Sequence, residues 1–403
     1  MSVDRVVIVG AGQAGAQVAI SLRQGGFAGS IVLLGDEPDL PYQRPPLSKK
    51  FLTGEVAADR AYVKPPAFYE QSRIEVALAR RVAGIDRAAG RVIDDEGSGW
   101  AYDALVLCMG TRVRRLAVEG GELPGVRYLR TMADARDIRG QAVSAGRAVV
   151  VGGGYIGLEV AASLRHLGAE VTVLEAQERV MNRVVAEPVS RFFTDEHRRH
   201  GVEILTGAGV AGFRGRGHVE AVAGSDGQAW PADLVVVGVG AVPNDELARE
   251  AGLEVANGIV VDGSGRTSDP AVWAAGDVTN LPSGLFDRRL RLESVHNAMA
   301  QAKAVAASIL GRPEVYDDVP WFWSDQYDIK LQIAGLSVAG EEVLLRGDPA
   351  SRAFSCLYTR NGRLMALDAI NRPADFIMAK RLIAERRELD PARAADPAIK
   401  LGD

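Results

Sequence analysis

The sequence predicts an α/β fold with two Rossmann-like nucleotide-binding domains and a C-terminal α+β domain. Gly10-Ala11-Gly12-Gln13-Ala14-Gly15 directly follows the apolar run 6–9, and Gly152-Gly153-Gly154-Tyr155-Ile156-Gly157 directly follows the apolar run 148–151. In such a loop the first Gly permits a tight turn, the second lets the backbone approach a pyrophosphate, and the third lets the helix pack on the strand. Two loops of this kind, 142 residues apart, predict two dinucleotides in one chain. After Trp321 the pattern changes to alternating segments typical of antiparallel strands.

Each predicted element follows from a local pattern. Buried strands are predicted over 3–9, 31–34 and 104–109, with a helix from about 14 to 24, and the Pro-rich segment 39–66 is long enough to indicate a functional loop. The pattern then restarts, with strands over 148–151, 170–174 and 233–239 and helices over 155–167 and 187–200. Later elements are a strand over 272–275, an amphipathic helix over 294–310, strands over 330–334 and 353–358, and a helix near 374–387. The last residues, with scattered Ala, Pro and Asp, are predicted to be poorly ordered.

Composition narrows the class of protein. The chain has 403 residues, 47% of them hydrophobic and 25% charged, and its net charge of −5 argues against a nucleic-acid partner. No apolar run approaches the ~20 residues of a membrane span, so no membrane association is expected. Cys108 and Cys356 are 248 positions apart and form no redox or metal motif, which fits a reducing cytoplasm. No metal site is predicted.

The second glycine loop is predicted to bind NADH. Glu175 ends the strand that follows it, where a carboxylate accepts hydrogen bonds from ribose hydroxyls and repels a 2′-phosphate. No arginine follows until Arg179, so we expect NADH rather than NADPH. The alternative interpretation of Glu175 is a solvated acid at a strand end.

The first glycine loop is predicted to bind FAD. Gly35 occupies the place expected for the ribose acid, so Asp36 is the candidate, with Glu37 as its competitor. Gly276-Asp277 ends the late strand, and we expect Asp277 at a helix start, aimed at the polyol chain that FAD has and NAD lacks. A plain helix N-cap is the alternative role of Asp277.

The late strand over 272–275 indicates that one nucleotide domain is inserted in the other. We therefore expect an FAD-binding domain at 1–112 and 245–320, an NAD-binding domain at 113–244, and a C-terminal domain at 321–403.

Further motifs carry a family resemblance. Besides the glycine loops, the chain has Cys108-Met109-Gly110, Gly240-x-x-Pro243 and Ala274-Ala275-Gly276-Asp277 in the order found in two-nucleotide flavoproteins such as glutathione reductase and lipoamide dehydrogenase. Pro45-Pro46-Leu47-Ser48-Lys49 stands where the disulfide reductases carry their cysteine pair, and Trp321-Phe322-Trp323-Ser324-Asp325-Gln326 opens the last domain. With these two segments the chain resembles NADH-dependent ferredoxin reductases of the putidaredoxin reductase type, which serve heme-thiolate monooxygenases and aromatic-ring dioxygenases. It departs from the family at Cys108, where Ala is more common, and we interpret Cys108 as a small buried hydrophobe.

The resemblance implies a set of cofactor contacts. Those for FAD are Gly10, Gly12, Ala14, Gly15, Asp36, Arg44, Lys49, Val82, Gly110, Arg130, Gly276, Asp277, Val295 and Trp323. Those for NADH are Gly152, Gly154, Ile156, Gly157, Glu175 and Gly240.

The resemblance also implies the catalytic residues. Lys49 and Glu159 would form an ion pair near flavin N5, where a cation favours negative charge on the reduced ring, and Tyr155 would lie where the nicotinamide stacks. The alternative role for Glu159 is an acid in a helix first turn. Without a cysteine pair, electrons would leave the flavin one at a time to a two-iron two-sulfur ferredoxin.

An acidic ferredoxin needs a basic face on the reductase. Arg288, Arg289 and Arg291 are the candidates, which Lys303, Lys380 and Arg381 could extend, although a charge run is usually a solvated face.

Two other functions remain open at this point. An NADH oxidase or peroxidase would need a redox cysteine in 41–49, and the sequence has none there. A flavoprotein like the apoptosis-inducing factors would normally add targeting segments and inserts.

Overall fold

The computed structural model describes residues 3–338 and 340–403. It confirms the predicted fold class, because two parallel five-stranded sheets with flanking helices are followed along the chain by an antiparallel sheet. Among the described residues, no helix is both long enough and apolar enough to cross a membrane.

The helices are numbered in chain order. They are α1 Gln13–Gln24, α2 Ala58–Ala61, α3 Pro66–Gln71, α4 Met132–Ala142, α5 Tyr155–His166, α6 Glu187–Arg199, α7 Glu246–Glu250, α8 Val295–Ile309, α9 Pro373–Ala384 and α10 Pro391–Ala395, with 3-10 turns at Pro45–Ser48 and Pro349–Ser351.

The strands are numbered in the same way. The first half of the chain contains β1 Arg5–Val9, β2 Ser30–Leu34, β3 Ile74–Ala77, β4 Val82–Asp86, β5 Arg91–Asp94, β6 Gly99–Ala101, β7 Ala104–Leu107, β8 Thr111–Val113, β9 Val126–Tyr128, β10 Arg147–Val151, β11 Glu170–Glu175 and β12 Val202–Thr206. The second half contains β13 Val210–Arg214, β14 Ala221–Gly224, β15 Ala229–Pro231, β16 Leu234–Val237, β17 Ala241–Pro243, β18 Ile259–Val260, β19 Val272–Ala274, β20 Thr279–Ser283, β21 Arg288–Leu290, β22 Trp321–Gln326, β23 Ile329–Gly335, β24 Glu342–Arg346, β25 Phe354–Arg360 and β26 Arg363–Ile370.

The chain divides into two compact units. The first unit consists of the chain up to Gln43, Ala58–Arg112 and Ala241–Pro320. Its parallel sheet has the order β19-β7-β1-β2-β3, so the late strand β19 joins a sheet otherwise built from the first 107 residues. Helices α1 and α8 pack together on this sheet through small side chains such as Ala19 and Ala302, which are fully buried.

The second unit consists of Arg44–Ala57, Val113–Gly240 and Trp321–Asp403. Its parallel sheet has the order β12-β11-β10-β16-β9, and its antiparallel sheet has the order β22-β23-β26-β25-β24. Strands β10 and β16 are buried on both faces, which explains their uninterrupted runs of Val and Leu.

The expectation of a poorly ordered C-terminus was wrong. Residues 391–395 form α10, and the side chains of Ala394 and Leu401 are buried. The buried guanidinium of Arg346 donates to the carbonyls of Ala394, Asp396 and Ile399 and pairs with Asp375. A tertiary anchor that composition does not reveal therefore orders this segment.

Candidate functional site

The first glycine loop, between β1 and α1, has a geometry that divides three roles among its glycines. Gly10 has φ +106°, and a Cβ there would lie 2.3 Å from the Cys108 carbonyl oxygen. A Cβ on Gly15 would lie 2.0 Å from the Gly10 carbonyl oxygen, so both positions require glycine for packing. A Cβ on Gly12 would meet nothing within 4 Å. The protein's own packing does not require glycine at this central position.

The second glycine loop, between β10 and α5, repeats this geometry. Gly152 has φ +107°, and a Cβ there would lie 2.4 Å from the Gly238 carbonyl oxygen. A Cβ on Gly157 would lie 2.0 Å from the Gly152 carbonyl oxygen, whereas one on Gly154 would meet nothing within 4 Å. The two loops are therefore structural duplicates.

Both loops fit a dinucleotide. Gly12 and Gly154 are the N-caps of α1 and α5, and neither helix has a side-chain cap. The first backbone N–H groups of each helix, together with its dipole, are thus available to a phosphate, and the missing Cβ leaves room for close approach. A bound pyrophosphate would explain the glycine at each central position.

The structure explains why the acid of the first unit comes one position late. Gly35 is buried, and a Cβ there would lie 2.6 Å from the Ala11 side chain in the glycine loop, so only glycine fits. Asp36 is exposed just beyond β2, whereas the Glu37 carboxylate accepts a hydrogen bond from the Tyr42 hydroxyl at 2.5 Å. Asp36 is therefore the more accessible of the two acids.

Gly276 and Asp277 lie in a turn that the sequence analysis placed incorrectly. The expected helix start is wrong, because β20 begins at Thr279 and α8 begins only at Val295. A Cβ on Gly276, which has φ +87°, would lie 2.9 Å from the Ala14 side chain at the N-terminal end of α1. The structure thus brings Ala14 and Gly276 together, with Val295 as the first residue of the helix that packs on α1.

Gln301 holds this turn and was missed by the sequence analysis. Its buried side-chain oxygen accepts hydrogen bonds from the Gly276 backbone N–H at 2.8 Å and from the Thr279 hydroxyl at 2.9 Å. A glutamine on the buried face of α8 was the available signal, because a polar side chain in that position needs partners.

Glu175 lies at the C-terminal end of β11, beside the second glycine loop. Its carboxylate accepts hydrogen bonds from the Gly153 N–H at 2.7 Å and the Gln177 N–H at 2.8 Å. The guanidinium of Arg179 donates to the carbonyls of Val185 and Asn182 at 2.7 and 3.0 Å, so it is committed to its own loop. The arrangement presents a fixed negative charge, while the guanidinium of Arg179 is held by backbone carbonyls.

Lys49, which is partly buried, and Glu159, which is buried, form an ion pair in the second unit. Their Nζ and Oε2 atoms are 2.6 Å apart, with side chains 18% and 4% exposed. Ser48 donates to Glu159 Oε2 at 2.5 Å, and Ser324 donates to Glu159 Oε1 at 2.6 Å. Ser163 donates to the Ser48 carbonyl at 2.7 Å, which ties the 3-10 turn to α5. Glu159 is on the second turn of α5 and holds a cation, so it is more than a solvated first-turn acid.

Ser48, Ser163 and Ser324 are site residues that the sequence analysis did not select. Ser48 and Ser324 both belong to the segments that carried the family resemblance, 45–49 and 321–326. Ser163 lies one turn beyond Glu159 on the same helix face, a spacing of four residues that was the available signal.

Aromatic side chains line the same part of the second unit. Tyr155, the first residue of α5, has its ring centroid 4.9 Å from that of Phe322, and burial raises its pKa well above the usual value. Trp323 is half-buried on β22, with its ring 6.3 Å from Phe322. Ile156 is 51% exposed, which is unusual for a large apolar side chain beside a glycine loop.

The other predicted contacts fall at strand ends and turns. Arg44 donates to the Arg130 carbonyl at 2.6 Å, just before the capping box that starts α4. Gly240 is exposed with φ +108°, Gly110 has φ +60°, and Val82 begins β4 with a half-buried side chain.

The predicted docking arginines differ in their exposure and in their side-chain hydrogen bonds and ion pairs. Arg288 and Arg289 are exposed on β21 of the first unit. Arg289 donates to the Asn280 side chain and to the Val261 carbonyl, and Arg291 pairs with Glu293 at 2.6 Å and is only 15% exposed. Of the three, only Arg288 has a side chain without a hydrogen bond or ion pair to residues 3–338 and 340–403.

Both cysteines are buried free thiols. Burial raises the pKa of Cys108 to about 12 and also raises that of Cys356. Cys108 packs in the core of the first unit among residues such as Ala14 and Ala275, which confirms its interpretation as a small hydrophobe.

A family model described as pyridine nucleotide-disulphide oxidoreductase matches residues 4–302. The chain belongs to this family. A second model, described as reductase C-terminal, matches residues 321–403, so the predicted recognition is confirmed and the protein is an oxidoreductase.

Relatives match essentially the whole chain. It is 43% identical over 404 residues to putidaredoxin reductase of Pseudomonas putida, covering 99% of this chain and 96% of the relative. It is also 43% identical over 399 residues to a ferredoxin–NAD(P)+ reductase of a Sphingomonas species, covering 98% and 96%. The solved structure of the covalent putidaredoxin reductase–putidaredoxin complex contains a chain that matches with a TM-score of 0.95 and 43% identity, covering 99% of this chain and 97% of that one.

Proposed function

We propose that this protein is an FAD-dependent NADH:ferredoxin oxidoreductase whose acceptor is a two-iron two-sulfur ferredoxin that serves a monooxygenase or a ring-hydroxylating dioxygenase. The observation that carries the proposal is the segment 45–49, which has Ser48 and Lys49 bound to Glu159 where disulfide reductases have two cysteines. With two glycine loops and no thiol in that segment, the chain can receive electrons from a pyridine nucleotide but has no dithiol relay there.

Its cofactors are FAD and NADH. Gly10, Gly12, Ala14, Gly15, Asp36, Val82, Gly110, Gly276, Asp277 and Val295 of the first unit are proposed FAD contacts, together with Arg44, Lys49, Arg130 and Trp323 of the second. Gly152, Gly154, Ile156, Gly157, Glu175 and Gly240 are proposed NADH contacts. When bound, FAD accepts two electrons and a proton as hydride and can release the electrons singly.

Lys49, Glu159 and Tyr155 are the proposed catalytic residues. Lys49 presents a partly buried cation that stabilises negative charge beside it, and Glu159 keeps that cation paired and fixed in direction. Tyr155 and Glu159 are four residues apart and therefore share one face of α5, so the aromatic ring and the ion pair are held by the same rigid element. The ring supplies a flat apolar surface on which a nicotinamide can stack.

The ferredoxin is proposed to dock at Arg288, Arg289 and Arg291. The proposal depends mainly on Arg288, because its guanidinium is exposed and makes no ion pair among the described residues, whereas the charge of Arg291 is largely neutralised by Glu293. In the Arg288→Ala variant, we expect slower ferredoxin reduction at low salt and a flatter dependence on ionic strength, because steering charges act mainly on the association rate. Arg312→Ala, which removes another exposed arginine of the first unit, is the matched control. An unchanged salt slope in Arg288→Ala would move the docking surface to Lys380 and Arg381.

We also propose the domain division and the compartment. The FAD-binding domain is 1–112 and 245–320, the NAD-binding domain 113–244, and the C-terminal domain 321–403. Two buried, unpaired thiols are consistent with a cytoplasmic protein.

Cytochrome c reduction tests the function. With NADH and the holoenzyme, we expect slow reduction alone and strong stimulation when a two-iron two-sulfur ferredoxin is added. Equal rates with and without ferredoxin, with oxygen consumed instead, would favour the oxidase alternative. If NADH is consumed but neither ferredoxin nor cytochrome c is reduced, the proposal is contradicted.

A further inference from the structure

A chain of hydrogen bonds leads away from Glu159 through the interior of the second unit. Ser324 Oγ contacts Glu159 Oε1 at 2.6 Å, and Gln326 Nε2 contacts Ser324 Oγ at 3.1 Å. Gln326 Oε1 contacts His197 Nε2 at 2.8 Å, and His197 Nδ1 contacts the Tyr327 hydroxyl at 3.0 Å. The side chains from Glu159 to His197 are buried, so no stretch of this path is an exposed contact.

The carboxylate at one end fixes the direction of every bond. An ionised Glu159 can only accept, so Ser324 must donate its single proton to it and must accept from the Gln326 amide NH₂. The Gln326 carbonyl oxygen then faces His197 and needs a donor, which makes Nε2 the protonated ring nitrogen. Nδ1 of a neutral His197 is therefore bare and accepts from the Tyr327 hydroxyl. Four dipoles in series point toward one negative charge.

The far end of the chain is built to keep His197 neutral. Burial lowers the pKa of His197 to about 4. The hydrogen bond with Gln326 and the Glu196 charge act in the opposite direction, and the neighbouring His200 acts in the same direction as burial. The Glu196 charge is itself compensated, because its carboxylate pairs with Arg352 at 2.7 Å and with Arg199 at 3.1 Å. The Tyr327 ring stacks on His200 at a centroid distance of 3.7 Å, which holds the hydroxyl donor in place.

We propose that Ser324, Gln326 and His197 are positioning residues that hold the Glu159 carboxylate in one orientation through this directional chain, and thereby aim the Lys49 cation. The proposal rests on the proposed function, because it gives this hydrogen-bond chain a role in hydride transfer from NADH to FAD. Lys49 and Ser48 bind Oε2, whereas Oε1 receives its donor from Ser324. Without Ser324 the carboxylate can rotate, since Oε1 can then compete for the same donors.

The protonation pattern of His197 is the first test, and it does not depend on activity. The protein has only five histidines in its sequence, so the ¹⁵N signals of His197 can be assigned in the FAD-loaded protein by comparison with a His197→Gln variant. At pH 7 we expect a neutral ring protonated at Nε2. In Gln326→Leu, we expect the fraction of His197 protonated at Nε2 to fall, because the carbonyl oxygen that accepts from Nε2 is lost. A ring protonated at Nδ1, or a cationic ring at pH 7, would overturn the proposal.

Stopped-flow reduction of the bound flavin by NADH is the second test. In Ser324→Ala, we expect the limiting rate to fall about tenfold, the effect of one lost charge-assisted hydrogen bond, with the half-saturating NADH concentration changed less than about twofold. Ser324→Thr retains the hydroxyl and should recover most of the rate. Thr194→Val is the matched control, because the Thr194 hydroxyl donates to the Ser190 carbonyl on the same helix as His197 but outside the chain.

The outcomes separate the two proposals. If NADH fails to reduce the flavin in the unmodified protein, the proposed function is wrong whatever the tautomer of His197. If the unmodified protein is reduced but Ser324→Ala matches Thr194→Val, or Ser324→Thr is as slow as Ser324→Ala, the positioning role is wrong. Should Ser324→Ala fail to fold, the tautomer of His197 in the unmodified protein still decides.

Discussion

Glu175 gives the sharpest prediction about the coenzyme. Its carboxylate is fixed by two backbone N–H groups, and Arg179 is bound to carbonyl oxygens of its own loop. A 2′-phosphate about 5 Å away in an effective dielectric of about 40 would meet a repulsion of about 1.7 kcal/mol per unit of its charge. A phosphate charge of about −1.5 to −2 brings this to about 3 kcal/mol, or roughly a hundredfold in affinity.

We therefore expect kcat/KM for NADH to exceed that for NADPH by about a hundredfold, the ratio worked from that repulsion. Glu175→Ala should reduce the preference by lowering KM for NADPH and raising that for NADH, with little change in kcat, because ribose contacts differ little between ground and transition state. Glu170→Ala is the matched control, since Glu170 is exposed at the other end of β11, about 16 Å away at ~3.3 Å per residue and thus beyond the Debye length. Comparable kcat/KM for both coenzymes in the unmodified protein would refute this reasoning.

Three further predictions follow from buried groups. Replacing Cys108 and Cys356 with Ala should leave flavin reduction by NADH within about threefold, because buried thiols with raised pKa values are poor nucleophiles; a large loss in a flavin-loaded double variant would contradict direct transfer. Arg346→Leu should lower the free energy of unfolding by about 3–5 kcal/mol and expose the C-terminal segment to proteolysis, whereas Arg381→Leu, which removes an exposed ion pair, should leave the free energy of unfolding nearly unchanged. Burial raises the pKa of Asp368 to about 7. The folded protein therefore keeps the carboxyl proton at pH values where the unfolded chain, whose Asp368 has its ordinary pKa, has lost it. The free energy of unfolding consequently falls as the pH rises from the ordinary pKa of an aspartate to about 7. Asp368→Asn should therefore gain stability relative to the unmodified protein between pH 4.5 and 7.5 in urea unfolding; a constant difference would show that the group does not titrate there.

Local patterns were sufficient for the nucleotide-binding loops. The roles of Gly12 and Gly15 depend on backbone conformation and on neighbours within one βα unit, and the structure gives both glycines the expected geometry. Gly10 has the positive φ expected of a tight turn, although its close neighbour is Cys108, from a distant part of the chain. The sequence could not explain why Asp36, the proposed ribose-binding acid of the first unit, comes one position later than expected. The reason is the tertiary contact between Gly35 and Ala11, which leaves no room for a side chain at position 35.

Long-range contacts were the part that the sequence could not supply. Ser324, which contacts the Glu159 carboxylate directly, lies 165 positions further along the chain, and His197, which is linked to it through Gln326 and Ser324, lies 38 positions further. Their polarity was visible, but a buried serine or histidine has many possible partners. The helix expected after Asp277 failed for a similar reason, since a turn held by Gln301 replaces the N-cap that the local pattern indicated.

Anaerobic stopped-flow with the FAD-loaded protein tests the central claim most directly. One equivalent of NADH should bleach the flavin absorbance, and mixing the reduced protein with a two-iron two-sulfur ferredoxin should then reduce two ferredoxins in single-electron steps while the flavin reoxidises. The Cys108→Ala, Cys356→Ala double variant should behave in the same way. Flavin that is reduced by NADH but is reoxidised only by oxygen or a disulfide, and not by ferredoxin, would contradict the assignment.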